Sequence, residues 1–494
     1  MTSVNRTPRS VRGDAVSSAI LVALVLAIPL FFVDGHRAVE AKFQDDAFYY
    51  ARIARNVARG DGVTFDGLHA TSGFHPLWLG LLVPLFVPFS GPMTPLFAAL
   101  GVQIALVGVA AALTTATLAR VVDRWSALAG GIALVAVPWT GASLTGGLEG
   151  ALTLALVGAG WWLWLRVAMR PRVEPAAWIG PGAVLALAGL SRLEAFVFVP
   201  VALALGLRRM ERPATSAAAL CAPAAVAVAI VLASSRALTA TWLPISATVK
   251  AAARMDRTGS RWLPIALGVA VVTVAVVALV VAVRRAGAET ARSALVLPAV
   301  GAFLWIAADL VAVGRLEPWN RVPVLLLGAV GAAALASLRR GRAVVAVVVL
   351  VAVARVPLGI ARAARPTSSY APYRWEAGVW LRDHVGEDAR IGSWNAGTIG
   401  YASDRHVVNL DGLVNDRTYF DEVIRGKDLA GYLEREGISW IADQSCGVDP
   451  TLAPYLARTG SLALATRTEW VASFYDRGAP DGCPGVAIWR LRGD

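Results

Sequence analysis

Charge is scarce in this sequence: 16% of the 494 residues are Asp, Glu, Lys or Arg, whereas 56% are hydrophobic. That balance, with a mean hydropathy of +0.59, excludes an ordinary water-soluble domain and puts most of the chain in lipid. Lysine is nearly absent, occurring only at positions 42, 250 and 427. The net charge of +12 is therefore carried by arginine, in small clusters between apolar runs. No single basic patch exists, which argues against nucleic acid as a partner. Three cysteines exclude a disulfide framework, and none lies in a CxxC or His/Cys cluster with metal-ligand spacing. The first apolar run lacks a small-residue cleavage site and reads as a signal anchor and first span.

Runs long enough to cross a bilayer, allowing for tilt and short spans, are Val16–Val33, Leu96–Leu118, Ala127–Ala142, Gly150–Val167, Pro175–Leu190, Ala195–Leu207, Ala214–Ala233, Leu263–Val283, Ala294–Val313, Val322–Leu338 and Ala343–Ile360. A further run, His75–Phe89, is shorter and holds Pro76, Pro84 and Pro88. If it does not cross, one side of the membrane receives Arg6/Arg9/Arg12, Arg120/Arg124, Arg166/Arg170/Arg172, Arg208/Arg209/Arg212, Arg284/Arg285/Arg292 and Arg339/Arg340/Arg342. Cytoplasmic loops are enriched in Lys and Arg. The expectation is an α-helical polytopic membrane protein of about 11 transmembrane helices, with the N-terminus cytoplasmic and the C-terminal domain extracytoplasmic at the plasma membrane.

Three segments fall on the outer side: residues 34–95, 234–262, and the tail from 361. The expected division is thus a membrane domain over 1–360, including the first outer loop 34–95, and an extracytoplasmic domain over 361–494. In the loop, Phe43, Ala47, Tyr50, Ala54 and Val57 recur at helical spacing with Asp45, Arg52, Arg55 and Arg59 opposite, predicting a helix along the membrane surface. The tail alternates helix-like stretches (Trp375–Val385, Lys427–Glu436) with β-like runs (Ala389–Ser393, His406–Leu410, Ser439–Ala442, Val486–Leu491), predicting a small α/β fold. Cys446 and Cys483 both fall in the tail, on the oxidising side, where a disulfide between them is expected; Cys221 lies in an apolar run.

Chemistry concentrates in the first outer loop. Asp45 and Asp46 stand just beyond the first span, beside Tyr49 and Tyr50, and lead through Asn56, Asp61, Thr64 and Asp66 to the polar turn Thr71-Ser72-Gly73-Phe74-His75-Pro76. A plain linker rarely needs so much turn chemistry. His69 and His75 read first as turn or capping residues, since two isolated histidines make no metal site.

The run QDDAFYYARIARNVARGDGVTFDG followed by TSGFHPLW resembles the first extracytoplasmic loop of membrane glycosyltransferases of the GT-C fold class, and is similar to that of bacterial arabinofuranosyltransferases and protein mannosyltransferases. Further likenesses are Leu148-Glu149-Gly150, Leu190-Ser191-Arg192-Leu193-Glu194, Leu243-Pro244-Ile245-Ser246 through Lys250, and, more weakly, Asp309 with Arg321 and Pro323. In the tail, Gly400-Tyr401 and Val407 to Leu413 resemble the extracytoplasmic domain of related sequences. These cover most of the chain, but each is short and the first loop is the specific one.

The resemblance implies an inverting transfer of a sugar from a polyprenyl-phosphate donor to a cell-envelope glycan, lipid or protein. By match to the family motif Asp45 is the base, with Asp46 its neighbour in acceptor binding or at a metal site; the two could be exchanged. Whether a divalent cation takes part is open. Lys250, Arg192 and Arg254 are candidates for the donor phosphate, and Tyr49, His75, Glu149, Glu194, Asp309 and Arg321 for the acceptor or pocket. Ionisable groups at membrane depth cost roughly 2.5–3.5 kcal/mol on insertion scales, which favours function for Arg192 and Glu194. Two other classes compete. A lipid or glycan transporter or flippase predicts internal symmetry and mid-membrane ionisable residues, and a noncatalytic envelope-assembly protein would tolerate loss of Asp45 and Asp46.

Overall fold

The structure, a computed structural model, describes residues 8–32, 39, 42–89, 91–136, 140–170, 173–255, 289–312, 320–338, 341–363, 370–475, 477–478 and 482–492. The apolar run Leu263–Val283 lies outside them, as do Arg257 and Arg261; of Arg254 only its place in a helix is described. The chain divides into two compact units. The first comprises Met1–Asp34, Leu100–Ala229 and Gly259–Ala361; the second comprises Gly35–Ala99, Ile230–Thr258 and Arg362–Asp494.

The first unit is helical. Among the described residues of the whole chain, five helices are long and apolar enough to cross a membrane: Ser10–Phe32, Thr94–Leu118, Gly150–Ala168, Pro213–Thr239 and Gly341–Leu358. Shorter apolar helices include Arg124–Ala136, Pro175–Ser191, Leu295–Leu310 and Val322–Ser337. Val16, Ile20 and Leu24 recur at helical spacing on one face and are about half exposed, as are Val347 and Leu350. An apolar exterior of this kind suits lipid and would aggregate in water. Inside, the helices approach closely through small residues. A Cβ on Gly131 would stand 2.0 Å from the Thr115 hydroxyl, and one on Gly182 2.2 Å from the Leu220 carbonyl oxygen. Near the N-terminus Arg124 forks onto Asp14, Nη2 to Oδ1 at 2.7 Å.

The second unit joins the loop that follows the first apolar helix to the tail. Helix α1 (Asp45–Arg59) ends at Gly60 in the left-handed conformation, φ +90°. Helix α2 (Pro76–Phe86) begins with proline at its first position. Its eleven residues rise about 16 Å, about half the roughly 30 Å hydrocarbon core. Helix α3 (Ile245–Met255) follows, then α4 (Ala371–His384) and α5 (Ala396–Ser403).

Strands β1 (Arg390–Ser393), β2 (His406–Asn409), β3 (Ile438–Ser445), β4 (Thr468–Tyr475) and β5 (Gly485–Leu491) form one sheet in the order β2-β1-β3-β5-β4. The β1–β2 and β1–β3 pairs are parallel and the β3–β5 and β4–β5 pairs antiparallel. The tail is thus a small mixed α/β domain. Val408, Leu410, Leu433, Ile441 and Trp489 are among its core. Cys446 and Cys483 are joined in a disulfide between the end of β3 and the start of β5. The edge strand β4 went unread in the sequence because its residues are mostly exposed or half-exposed, with Trp470 and Val471 outward.

The arginines on the polar face of α1 pair with the tail. Arg52 is buried, and it, Arg55 and Arg59 all converge on Asp404, at 3.3 Å from Arg55 and 3.0 Å from Arg59. Asp404 ends α5 in the left-handed conformation, φ 53°. The same three arginines hold its carboxyl well below the usual carboxylate range although burial opposes them.

Candidate functional site

In the second unit α1 places Asp45 and Asp46 in its first turn, where the helix macrodipole favours acids. Asp45 is fully engaged. Its Oδ1 accepts from the Thr398 amide at 2.9 Å and the Thr398 hydroxyl at 2.7 Å, and its Oδ2 accepts from the Gly397 amide at 3.2 Å. Arg374 of α4 stands 3.5 Å from Oδ1. The carboxylate thus caps the N-terminus of α5, whose amides have no partners within the helix. A Cβ on Gly397 would fall 2.1 Å from the Asp45 carbonyl oxygen, so only glycine allows this approach. Asp443, buried on β3, fixes the turn before α5 by accepting from the Asn395 amide at 3.0 Å and side chain at 2.7 Å.

Tyr49 lies one turn on, three residues from Asp46 and so on its face of α1. Its hydroxyl donates to Asp411 Oδ2 at 3.2 Å and accepts from the Asn409 side chain at 3.2 Å. Burial, then the charges of Asp411, Asp45 and Asp46, push this phenol well above its ordinary value and keep it a donor. Asp411 Oδ1 accepts from the Leu413 amide at 2.8 Å. Burial pushes the Asp411 carboxyl up to about 7; the Leu413 amide opposes this and the Asp46 charge adds to it.

The turn Thr71 to Pro76 is packed on the same loop. Thr71 donates from its hydroxyl to the Asn415 carbonyl at 3.2 Å, and a Cβ on Gly73 would meet the Leu413 carbonyl oxygen at 1.9 Å. Gly73→Ala must force these segments apart, and the expected result is a loss of about 1–3 kcal/mol of stability, read as a lowered thermal midpoint of the purified protein. Ser72 Oγ accepts from the Ile245 amide at 3.0 Å, fixing the start of α3. Val249 of α3 approaches Gly412, and the next residue, Lys250, is exposed. His75 is the cap residue of α2, and its amide donates to the Tyr50 hydroxyl at 3.1 Å.

His69 bridges loop and tail. Its Nδ1 is 2.7 Å from Asp66 Oδ2 and its Nε2 3.2 Å from Glu436 Oε2. The hydrogen bond to Asp66 leads the causes that raise its pKa to about 9, against burial. A group raised on folding contributes stability that is complete below its ordinary value of 6.5 and is lost as pH rises through about 9. The thermal midpoint is therefore expected to fall between those limits, and His69→Gln to abolish that fall.

The first unit also holds a buried cluster. Arg192 pairs with Glu149 and with the Asn320 amide oxygen, lies 3.2 Å from Glu194, and sits 5.9 Å from the centre of the Trp305 ring. Asp309, buried, faces Glu194 and Arg192. Arg321 precedes the helix Val322–Leu338. The sequence-predicted residues therefore gather into two sets: Asp45, Asp46, Tyr49, His75 and Lys250 in the second unit, and Glu149, Arg192, Glu194, Asp309 and Arg321 in the first. Sequence reasoning missed Arg374, Thr398, Asn409, Asp411 and Asn320 as site residues. The strand-to-helix turn Trp394-Asn395-Ala396-Gly397-Thr398 carries a signal for an anion at a helix N-terminus that could have found Thr398. Among the described residues no group of three or more His, Cys, Asp or Glu is arranged to hold a metal ion.

A family described as a domain of unknown function (DUF8728) matches residues 364–486. No curated protein matches. Among solved structures the chain is similar to ArnT from Cupriavidus metallidurans bound to undecaprenyl phosphate, with a TM-score of 0.55 at 14% identity, covering 95% of this chain and 97% of that one. It is also similar to the archaeal oligosaccharyltransferase AglB from Archaeoglobus fulgidus in complex with an inhibitory peptide and a dolichol-phosphate, with a TM-score of 0.55 at 14% identity, covering 97% and 74%. At such identities the likeness is one of fold.

Proposed function

We propose that this chain, which has the GT-C fold, is an inverting glycosyltransferase that moves a sugar from a polyprenyl-phosphate donor to a cell-envelope acceptor on the outer face of the plasma membrane. The proposal keeps the expected eleven crossings, the cytoplasmic N-terminus and the division at residue 360. The observation that carries it is the acidic first turn of α1, set among Tyr49, Asn409 and Asp411.

We assign the base to Asp46. Both oxygens of Asp45 are committed to α5 and Arg374, which suits an anchor better than a proton acceptor. In the transfer, the acceptor hydroxyl gives its proton to Asp46 as its oxygen attacks the anomeric carbon. The bond from that carbon to the phosphate oxygen breaks, and its electron pair leaves with the lipid phosphate. Base catalysis of this kind contributes about 10²–10⁴-fold; positioning and neutralisation of the leaving phosphate supply the rest. Lys250, exposed on α3, is the cation we assign to that phosphate. Arg192 is already engaged by Glu149, Glu194 and Asn320 and is assigned to holding the buried cluster of the first unit.

The test is incubation of the purified chain with a panel of radiolabelled polyprenyl-phosphate sugars and an envelope acceptor fraction, followed by the anomeric configuration of the product. Transfer with inversion supports the reading, and retention contradicts the single-displacement step.

A further inference from the structure

The place where an α/β sheet ordinarily takes a ligand is filled in this tail from within the chain. In open α/β sheets ligands bind beyond the carboxyl ends of the strands, where the strand order reverses. Here that point lies between β1 and β3, since β1 leads through α5 to β2 on one side and pairs with β3 on the other. The group held beyond it is the Asp45 side chain, bound by the Gly397 amide at 3.2 Å and the Thr398 amide at 2.9 Å.

Two arms converge on that carboxylate, and both are set by consecutive residues of β3. Asp443 fixes the turn before α5, accepting from the Trp394 amide and, at 3.0 Å, from the Asn395 amide. Gln444, the next residue and so on the opposite face of the strand, reaches Arg374. Its amide oxygen, oriented by its hydrogen bonds, accepts from Arg374 Nε at 3.1 Å. Arg374, buried on α4, stands in turn 3.5 Å from Asp45 Oδ1. The arms are locked to each other where α4 meets α5. A Cβ on Gly378 would stand 2.7 Å from the Ala402 Cβ and 3.1 Å from the Ile399 carbonyl oxygen.

We propose that Arg374 is a positioning residue for the sugar-transfer step, setting through Asp45 the place of the first turn of α1 and with it the neighbouring Asp46. The inference rests on the transferase reading above. Arg374 acts without touching substrate: it fixes the backbone from which the base projects. A carboxylate held by amides alone can pivot about the α5 terminus, and a planar guanidinium on its flank, itself anchored to a strand, removes that freedom. An ångström of misplacement at a reacting group can cost about a hundredfold in rate. A device that holds the turn in this way therefore acts on kcat and not on donor binding.

The test is a double-mutant cycle on the full-length protein in detergent, with two readouts. In the first, transfer is measured per folded molecule with whichever radiolabelled polyprenyl-phosphate sugar the wild type uses. Arg374→Gln is expected to lower kcat about fivefold with donor KM unchanged. Arg374→Lys, which keeps the charge but not the fork, should recover part of that loss. Because Arg374 acts through Asp45, Arg374→Gln should cost nothing further in an Asp45→Asn background. Gln444→Ala, a milder change at the far end of the arm, should lower kcat about twofold in the otherwise wild-type chain and not in Asp45→Asn.

The second readout is the thermal midpoint, which needs no substrate. The Arg374→Gln and Asp45→Asn shifts should be coupled, the double variant melting close to the lower of the two single variants. Shifts that simply add overturn the inference whether or not transfer is observed. Coupled midpoints with kcat per folded molecule unchanged in Arg374→Gln and Gln444→Ala overturn the positioning role, because that is what a merely structural contact gives. A wild type that transfers from no donor overturns the positioning role together with the reading above, and the midpoints then decide the pairing alone.

Discussion

Asp46→Asn is expected to lower sugar transfer by about 10²–10⁴-fold with the amount of folded protein unchanged. Asparagine has nearly the size of aspartate and can still donate and accept hydrogen bonds, but it cannot take a proton from an attacking hydroxyl. The side chain leaves from the first turn of α1, which is fixed at its far end by the Arg52, Arg55 and Arg59 contacts to Asp404 and along its length by burial of Phe48, Tyr49 and Ile53. Removing a charge from the first turn changes helix stability by about 0.3–1 kcal/mol, too little to unfold the unit. The loss should appear in kcat, with donor KM nearly unchanged, since the base acts in the transition state. The measurement is initial rate against donor concentration for wild type and variant, matched for folded protein by gel filtration.

Asp45→Ala is expected to do the opposite. Its carboxylate caps α5 and faces Arg374, whose side chain is 8% exposed. Truncation would leave that arginine without this partner and the Thr398 and Gly397 amides without their acceptor. Breaking a buried pair from one side typically costs about 3–5 kcal/mol. The result should be a markedly lower thermal midpoint and earlier proteolytic cleavage of the tail, while transfer per folded molecule falls far less than in Asp46→Asn. The two neighbours in one motif thereby separate into an anchor and a base.

The sequence carried the membrane character plainly, because lipid demands long uninterrupted apolar runs and Gly150–Ala168 or Pro213–Thr239 can hardly be anything else. It also carried α1, whose period of 3.6 is clean, and the buried strands β1 and β2, whose apolar residues cluster between turn signals. Three things were not legible. The arginine stripe on α1 looks the same in sequence whether it meets headgroups or the half-buried Asp404, and the pairing with Asp404 is visible only in three dimensions. The partner of Asp45 lies 353 residues away in Thr398, a separation no local pattern encodes. The need for glycine at position 73 comes from a carbonyl at Leu413, far along the chain. In each case the missing information is a long-range contact between the first loop and the tail.

The measurement that tests the central claim most directly is transfer of label from polyprenyl-phosphate sugars to an envelope acceptor by purified wild type, Asp45→Asn and Asp46→Asn, each corrected for folded protein. The account predicts transfer by the wild type, near-complete loss in Asp46→Asn, and substantial transfer by those Asp45→Asn molecules that fold. Undiminished transfer in Asp46→Asn, or a wild type inactive with every donor, would contradict it.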